Sequence, residues 1–432
     1  MRIYVHIPFC ERKCKYCNFA SGVHPEATQI AYFFALNNEL RIASRFIAQP
    51  VESVYIGGGT PSSVNPKLIA EIMQTIKTHF QVNKTTECTI EANPNSITPE
   101  KLEIYKNSGL NRISFGAQSF DPNTLQTLGR THTPEQIFDA VKSAHDSGFN
   151  NINVDLILGV KKFKNLKTNV QKLKESGLTH ISAYMLILED NTPLKHEVSL
   201  GKIQTLTDDE SVDEYEKAKT IFEDLGFNRY EISNFAKSGF ECKHNKGYWQ
   251  CEEYYGAGLN AHSYVDGKRF YNTENLEEYM LKFGGGELNK NNEKIKKINK
   301  KILKNTEKIR FFNKKYKKIT KFNNFFKNNT NKNKIFQTLK FRFAGERIYQ
   351  FAEAVEHLTK SQKIEEYIML ALRTEEGINL NHLQKLGCDI KKEKAEEIKF
   401  LQAQNAIALT PTHLKIAPAF FGVQNQIILK LI

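Results

Sequence analysis

The stretch Cys10-Glu11-Arg12-Lys13-Cys14-Lys15-Tyr16-Cys17 places three cysteines within eight residues, directly after the β-branched run Ile3–Ile7. Iron–sulfur clusters take thiolate ligands, and cysteines close in sequence can wrap one cubane from a single loop. With three and then two residues between them, Cys10, Cys14 and Cys17 can reach three iron corners of a [4Fe–4S] cluster. The fourth iron is then open to a small ligand. Two plainer readings use the same residues. A structural zinc ion wants four ligands, commonly as two CxxC pairs, and His6 or His24 could complete such a set. The three thiols could also stand unliganded.

Outward from this loop, short β-branched runs alternate with segments of helical periodicity. Strands are expected at Ile3–Ile7, Ser53–Ile56, Thr86–Glu91, Asn111–Phe115, Ile152–Ile157 and His180–Leu188. Helices are expected at Pro66–His79, Pro99–Ser108, Pro134–Ser147 and Leu166–Ser176, with a longer one over Thr207–Phe227. Gly109, Gly148 and Gly177 follow three of these helices, as helix C-terminal punctuation. Strand–helix alternation implies right-handed βαβ units around a parallel sheet. About six such units make an α/β fold, a partial (β/α)6 barrel, with its chemistry at the C-terminal strand ends. The expected division is a barrel core over 1–235, a Gly- and aromatic-rich segment over 236–286, a Lys/Asn-rich insertion over 287–341, and a C-terminal domain over 342–432. In the last, helices at Ile364–Thr374, Leu380–Leu386 and Glu393–Gln404 precede two short strands, Ala406–Leu409 and His413–Ile416. That order suggests a small winged-helix-like α+β domain, which need not bind DNA.

Of the 432 residues, 40% are hydrophobic and 25% charged, ordinary globular values. No apolar run is long enough for a membrane span, and the first residues do not read as a signal peptide, so a cytoplasmic location is expected. The odd count of seven cysteines argues against a disulfide framework. The net charge of +13 is local. Residues 289–340 hold 17 Lys, one Arg and two Glu, a surplus of +16 in 52 residues, and the remaining chain carries −3. The basic segment also has 12 Asn and neither Gly nor Pro. It reads as biased, low-complexity insertion, and no nucleic-acid partner is expected.

The Cys10-x-x-x-Cys14-x-Tyr16-Cys17 pattern, with an aromatic before its last cysteine, resembles the signature of the radical S-adenosylmethionine (SAM) family. The resemblance implies that the open iron chelates SAM. It also implies that an electron from the reduced cluster cleaves SAM to methionine and a 5′-deoxyadenosyl radical, the cofactor carrying the chemistry. On the same resemblance Gly58, Gly59 and Thr60 in Gly57-Gly58-Gly59-Thr60-Pro61 match the motif for the SAM amino group. Glu91 would face the ribose, and Tyr4, Tyr16, Gln118, Arg130 and Asp155 would complete a ring of cofactor-binding groups around one mouth.

Tyr4-Val-His-Ile-Pro-Phe-Cys10, Gly-Gly-Gly-Thr-Pro-Ser and Ser-Phe-Gly-Ala-Gln-Ser-Phe narrow the resemblance to the coproporphyrinogen III oxidase-like branch, over roughly 1–285 and 360–432. That branch holds oxygen-independent coproporphyrinogen III oxidases and haem chaperones. The oxidase motif carries a further Cys two residues past the third, where this chain has Phe19, and an N-terminal segment ahead of the first strand. The run His244-Asn245-Lys-Gly-Tyr248-Trp249, with the one Trp of the chain, matches the HNxxYW motif of the chaperones. The resemblance therefore implies a haem chaperone rather than a decarboxylating oxidase, with cluster, SAM and haem bound. Its partners would be haem-accepting apo-proteins, respiratory membrane-associated ones among them, and it allows a homodimer. Residue by residue, the motif offers His244 as an axial haem ligand, with Tyr248 and Trp249 as flat apolar surface. The same residues also read as local hydrogen bonding, barrel packing or support of the SAM site. Cys242 and Cys251 flank the motif and could ligate haem too.

Overall fold

The computed structural model describes residues 1–284 and 348–432. The chain opens with strand β1 (Arg2–Ile7), helix α1 (Glu26–Ala43), β2 (Val51–Gly58), α2 (Pro66–His79), β3 (Val82–Ala92) and α3 (Pro99–Ser108). It continues with β4 (Arg112–Gln118), α4 (Pro122–Leu128), α5 (Pro134–Asp146), β5 (Asn151–Leu158), α6 (Leu166–Glu175) and β6 (His180–Met185). Strands β1 to β6 pair in sequence order, each parallel to the next. This is the expected α/β architecture, a six-stranded open barrel. Proline at the first turn and a Thr, Asn or Asp before it start four of these six helices. Asn65, Thr98, Asp121 and Thr133 each accept a backbone N–H as N-cap.

Beyond β6 come α7 (Pro193–Ser199), α8 (Asp208–Asp224), β7 (Asn228–Arg229) and β8 (Asn234–Ala236), where β8 runs antiparallel to β6 and β7. The chain then returns to the other edge. Helix α9 (Lys243–Trp249) leads into β9 (Tyr254–Ala257), which pairs parallel with β1. Strands β10 (His262–Val265) and β11 (Lys268–Tyr271), helix α10 (Leu276–Phe283) and β12 (Ala354–His357) extend that edge. The result is a twelve-stranded sheet in the order β12-β11-β10-β9-β1-β2-β3-β4-β5-β6-β8-β7. Among the described residues the two ends do not pair, so the barrel has an open seam.

The C-terminal region has its own apolar core. Helices Lys360–Ala371, Leu380–Leu386 and Ala395–Ala403 pack with a three-stranded sheet formed by Ile378–Asn379, His413–Ile416 and Ile407–Leu409. Two expectations need trimming. Strand β6 stops at Met185, and Ile187 beyond it is 69% exposed. Helix α1 was not among the expected helices, because it buries Tyr32, Phe33, Leu36, Asn37, Glu39 and Leu40 on more than one side and so lacks a clean apolar stripe. The Lys/Asn-rich insertion expected at 287–341 lies outside the described residues.

Helix α1 is tied to the returning edge by one buried carboxylate. Glu39 accepts from the Tyr255 hydroxyl at 2.9 Å, the Gly258 N–H at 2.8 Å, Asn272 Nδ2 at 2.7 Å and the Tyr279 hydroxyl. Removing an acceptor of this kind strands several buried donors. Glu39→Ala is therefore expected to destabilise the protein by about 3 kcal/mol, with Glu39→Gln milder. Urea unfolding of the two variants checks this, and an unchanged midpoint for Glu39→Ala would refute it.

Candidate functional site

The cysteine loop leaves β1 at the C-terminal end of the sheet and is pinned at both ends. The Cys10 N–H donates to Gly22 O and the Gly22 N–H to Pro8 O, both at 2.9 Å, while the Lys15 N–H donates to Leu128 O at 3.0 Å. All three thiols are free and partly accessible. Arg130 Nη1 donates to Cys14 Sγ at 3.3 Å. Its Nη2 donates to Asn93 Oδ1 at 2.5 Å and Gly116 O at 2.7 Å. Asn93 Nδ2 reaches Thr60 Oγ1 at 3.4 Å, and that hydroxyl points at Cys10 Sγ at 3.7 Å. Two of the three sulfurs are thus met by donors, one of them cationic. A Cβ on Gly59 would lie 3.0 Å from Cys10 Sγ and 2.7 Å from Phe9 O, so only glycine lets the β2 end approach the loop.

This donor set fits a [4Fe–4S] cluster. Thiolates that bind separate irons need not converge on one point, and among the described residues no three His, Cys, Asp or Glu side chains do so. Donors aimed at the sulfurs are what stabilises added negative charge on a cluster.

The expected SAM groups lie beside the loop. The Gly58 N–H and the Tyr55 hydroxyl donate to the two oxygens of Glu91 at 3.0 and 2.9 Å. A Cβ on Gly57 would sit 2.9 Å from that carboxylate. Burial first, and then the charge of Asp155, pushes Glu91 up to about 7. Asp155 is held by Ser114 Oγ at 3.1 Å and Asn153 Nδ2 at 2.8 Å, and burial raises it as well. Gln118, in a left-handed conformation at φ 65°, brings its side chain over Gly116 next to Arg130. Tyr4 stacks on Tyr55 at 6.4 Å and bonds His6 Nδ1 at 2.9 Å. Tyr16 packs against the small apolar cluster around Leu128, Ile157 and Leu194. Asn93 and Tyr55, which hold Arg130 and Glu91 in place, were not expected. Asn-Pro at 93–94 reads in sequence only as a turn.

His244 is placed elsewhere. Helix α9 plugs the floor of the barrel, at the N-terminal strand ends. Glu87 accepts from the Lys243 and His244 backbone N–H groups at 3.1 and 3.2 Å and from the Cys242 thiol at 3.4 Å. His244 is buried, with Nδ1 bonded to Ser53 Oγ at 2.9 Å and Nε2 to the Tyr248 hydroxyl at 3.0 Å. Both ring nitrogens are therefore taken, and the expectation of an axial ligand at His244 is corrected to one of positioning. Burial, with help from Arg2 and Arg112, pushes this imidazole down to about 3 and keeps it neutral. The rest of the motif faces open space. Asn245, Tyr248 and Trp249 line a cavity of about 460 Å³ whose other walls include Tyr184, Tyr254 and Tyr264. The cavity occupies the barrel seam and shares none of its lining residues with the cysteine loop. Residues of the C-terminal domain, Glu366 and Leu370, close its outer side.

Residues 4–165 match the radical SAM superfamily and residues 358–419 the HemN C-terminal domain. Heme chaperone HemW of Lactococcus lactis is 37% identical over 279 residues, 64% of this chain and 73% of that relative. Heme chaperone HemW of Bacillus subtilis is 34% identical over 281 residues, 64% of this chain and 74% of that relative. The solved structure of coproporphyrinogen III oxidase (HemN) from Escherichia coli, a radical SAM enzyme, superposes with a TM-score of 0.71 at 18% identity, covering 99% of this chain and 89% of that one. At that identity the likeness carries the fold. Replacing Arg130 with Met is expected to lower the reduction potential of the reconstituted cluster and to weaken iron retention by about 10–100-fold. Potentiometric titration and iron analysis check this, and wild-type values for both would refute it.

Proposed function

The chain belongs to the HemW family of radical SAM proteins, and from that premise we propose that it is a haem chaperone that holds haem in the barrel seam and passes it to apo-proteins. The observation that carries this is the placement of Asn245, Tyr248 and Trp249 on one wall of the seam cavity. Aromatic faces with a few polar groups, in a cleft of several hundred Å³, suit a flat macrocycle. Tyr248 and Tyr254 meet edge to face at 4.7 Å, which fixes the wall in one shape. His244 holds the Tyr248 hydroxyl from behind.

The mouth of the barrel serves a second task. Cys10, Cys14 and Cys17 would hold the [4Fe–4S] cluster, whose open iron binds SAM when both are present. Glu91 would accept the ribose hydroxyls, the Gly58–Thr60 turn would admit the amino group, and Arg130, Gln118, Asp155, Tyr4 and Tyr16 would shape the rest of the site. Oxidase chemistry is not favoured, since Phe19, 67% exposed, stands where a decarboxylating relative has Cys. Seven free cysteines suit a reducing compartment, and we place the protein in the cytoplasm. Among the described residues no helix is long and apolar enough to cross a membrane. Recipients would be haem-requiring apo-proteins, respiratory ones at the membrane included.

Two experiments test these assignments. Anaerobic haem titration should give a saturable Soret change at one haem per chain. Trp249→Ala should weaken binding by about tenfold or more, as loss of a central aromatic contact does. A wild-type protein with no saturable change would contradict the chaperone reading. For SAM, the ionised form of Glu91 is the better acceptor. Because its pKa is raised to about 7, SAM affinity should rise with pH up to that value and level off above it, by up to about tenfold per unit. Glu91→Gln should flatten the profile. The same raised pKa makes folding stability fall as pH rises from the usual carboxylate range toward 7, since the folded state then holds the extra proton.

A further inference from the structure

We propose that Cys251 supplies the thiolate that ligates haem iron in the seam cavity; the proposal rests on the haem-chaperone reading above. Cys251 follows α9 by two residues and lines the cavity beside Tyr248 and Trp249. Its N–H donates to Tyr248 O at 3.1 Å, which closes the helix end and holds the residue at φ 54°. A non-glycine residue in this left-handed region is uncommon. Cys251 thus lies between the cavity and the C-terminal core, against which it also packs.

Two buried acceptors belong to residues of the cavity wall. Glu231, fully buried, lines the same space. One of its carboxylate oxygens accepts from Asn234 Nδ2, while its Oε2 has no hydrogen-bond partner among the described residues. Asn234 Oδ1 is equally unpartnered, and Asn234 is also a wall residue. Unpaired acceptors in a buried site are costly, and both oxygens lie just behind the cavity wall, without accessible surface of their own.

The other candidate ligands are weaker. His244 has both nitrogens engaged, and the Tyr248 hydroxyl is bonded to it. Cys242 lies under the floor against Glu87 and is not part of the cavity. Burial raises the phenols of Tyr248 and Tyr254, and it raises the Cys251 thiol to about 11, so iron binding itself has to displace the proton. Haem iron takes Cys thiolate, His or Tyr ligands, and Cys251 is the thiol among the lining residues. On coordination the S–H bond breaks and an Fe–S bond forms. The proton is released to solvent, as metal binding by a thiol requires. Iron stays ferric and no electron moves.

The remaining charges of the cavity are already balanced. Arg2 pairs with Glu252, and Arg269 with Glu366. Porphyrin carboxylates would therefore face the open rim, where Arg269 can exchange partners.

The test uses the full-length, cluster-reconstituted protein titrated with ferric haem and followed by difference absorption and electron paramagnetic resonance. Wild type should give a thiolate-ligated ferric haem spectrum. Cys251→Ser should lose that signature and bind haem about tenfold or more weakly, with the cluster spectrum and melting temperature unchanged. Cys251→His, a residue that tolerates positive φ comparatively well, should restore affinity with an imidazole-type spectrum. If Cys251→Ser binds haem with the wild-type spectrum, or wild type binds it with no thiolate signature, the ligand assignment is overturned while the chaperone reading stands. If wild type binds no haem, both fall.

Discussion

Seven parallel strands, β9 and β1 to β6, run side by side without closing into a cylinder. The gap this leaves is the constraint on which the rest of the molecule depends. One end of the sheet carries β6, β8 and β7, and the other β9 to β12. Both contribute walls to the seam cavity. The C-terminal domain closes the outer side and is attached to the β7–β8 end. Arg229 Nη2 pairs with Glu375 at 2.5 Å, Glu231 bridges to Thr374, and Glu376 takes Lys246 and Gln250 of the α9 region at 2.6 and 2.9 Å. An unclosed sheet and a flanking domain together make a half-open cleft at a place separate from the cysteine loop.

Inside the barrel a continuous polar network joins the two sites. Asp155 is held by Asn153, whose Oδ1 meets His180 Nδ1 at 2.6 Å. His180 Nε2 meets the Tyr230 hydroxyl at 2.8 Å, and that hydroxyl accepts from the Cys242 N–H at 3.3 Å. Glu87 then gathers the start of α9. Arg112 is fully buried amid Glu87, Tyr55, Tyr230 and Cys242. Chained hydrogen bonds of this kind hold side chains in one arrangement, while Arg112 Nε has no partner among the described residues. The network positions Asp155 at the mouth and Tyr248 in the seam from one scaffold.

The two sites differ in how far they could be read from the chain. The cluster loop is local. Three cysteines within eight residues, a glycine run at a strand end and a periodic βα pattern all point to one mouth, and the structure gathers Cys10, Cys14, Thr60, Glu91, Gln118, Arg130 and Asp155 there. The seam is not local. Tyr184, Glu231 with Asn234, Tyr254 and Glu366 come from four separate parts of the chain, and only the topology brings them together. The HNxxYW run marked the region, but helix geometry decides the roles within it. His244 and Tyr248, four residues apart, lie on one face, so the imidazole points into the floor and bonds the tyrosine that reaches the cavity. Helix α1 escaped notice for a related reason, since burial on several sides erases the stripe that periodicity detects.

Two separate sites in one open barrel is the central claim. A crystal structure of the haem-loaded, cluster-reconstituted protein, with iron located by anomalous scattering, tests it most directly. The account predicts an iron cluster at Cys10, Cys14 and Cys17 and a single haem iron in the seam beside Cys251, with the porphyrin against Tyr248 and Trp249. Porphyrin density at the barrel mouth, over Glu91 and Arg130, with the seam empty, would contradict it.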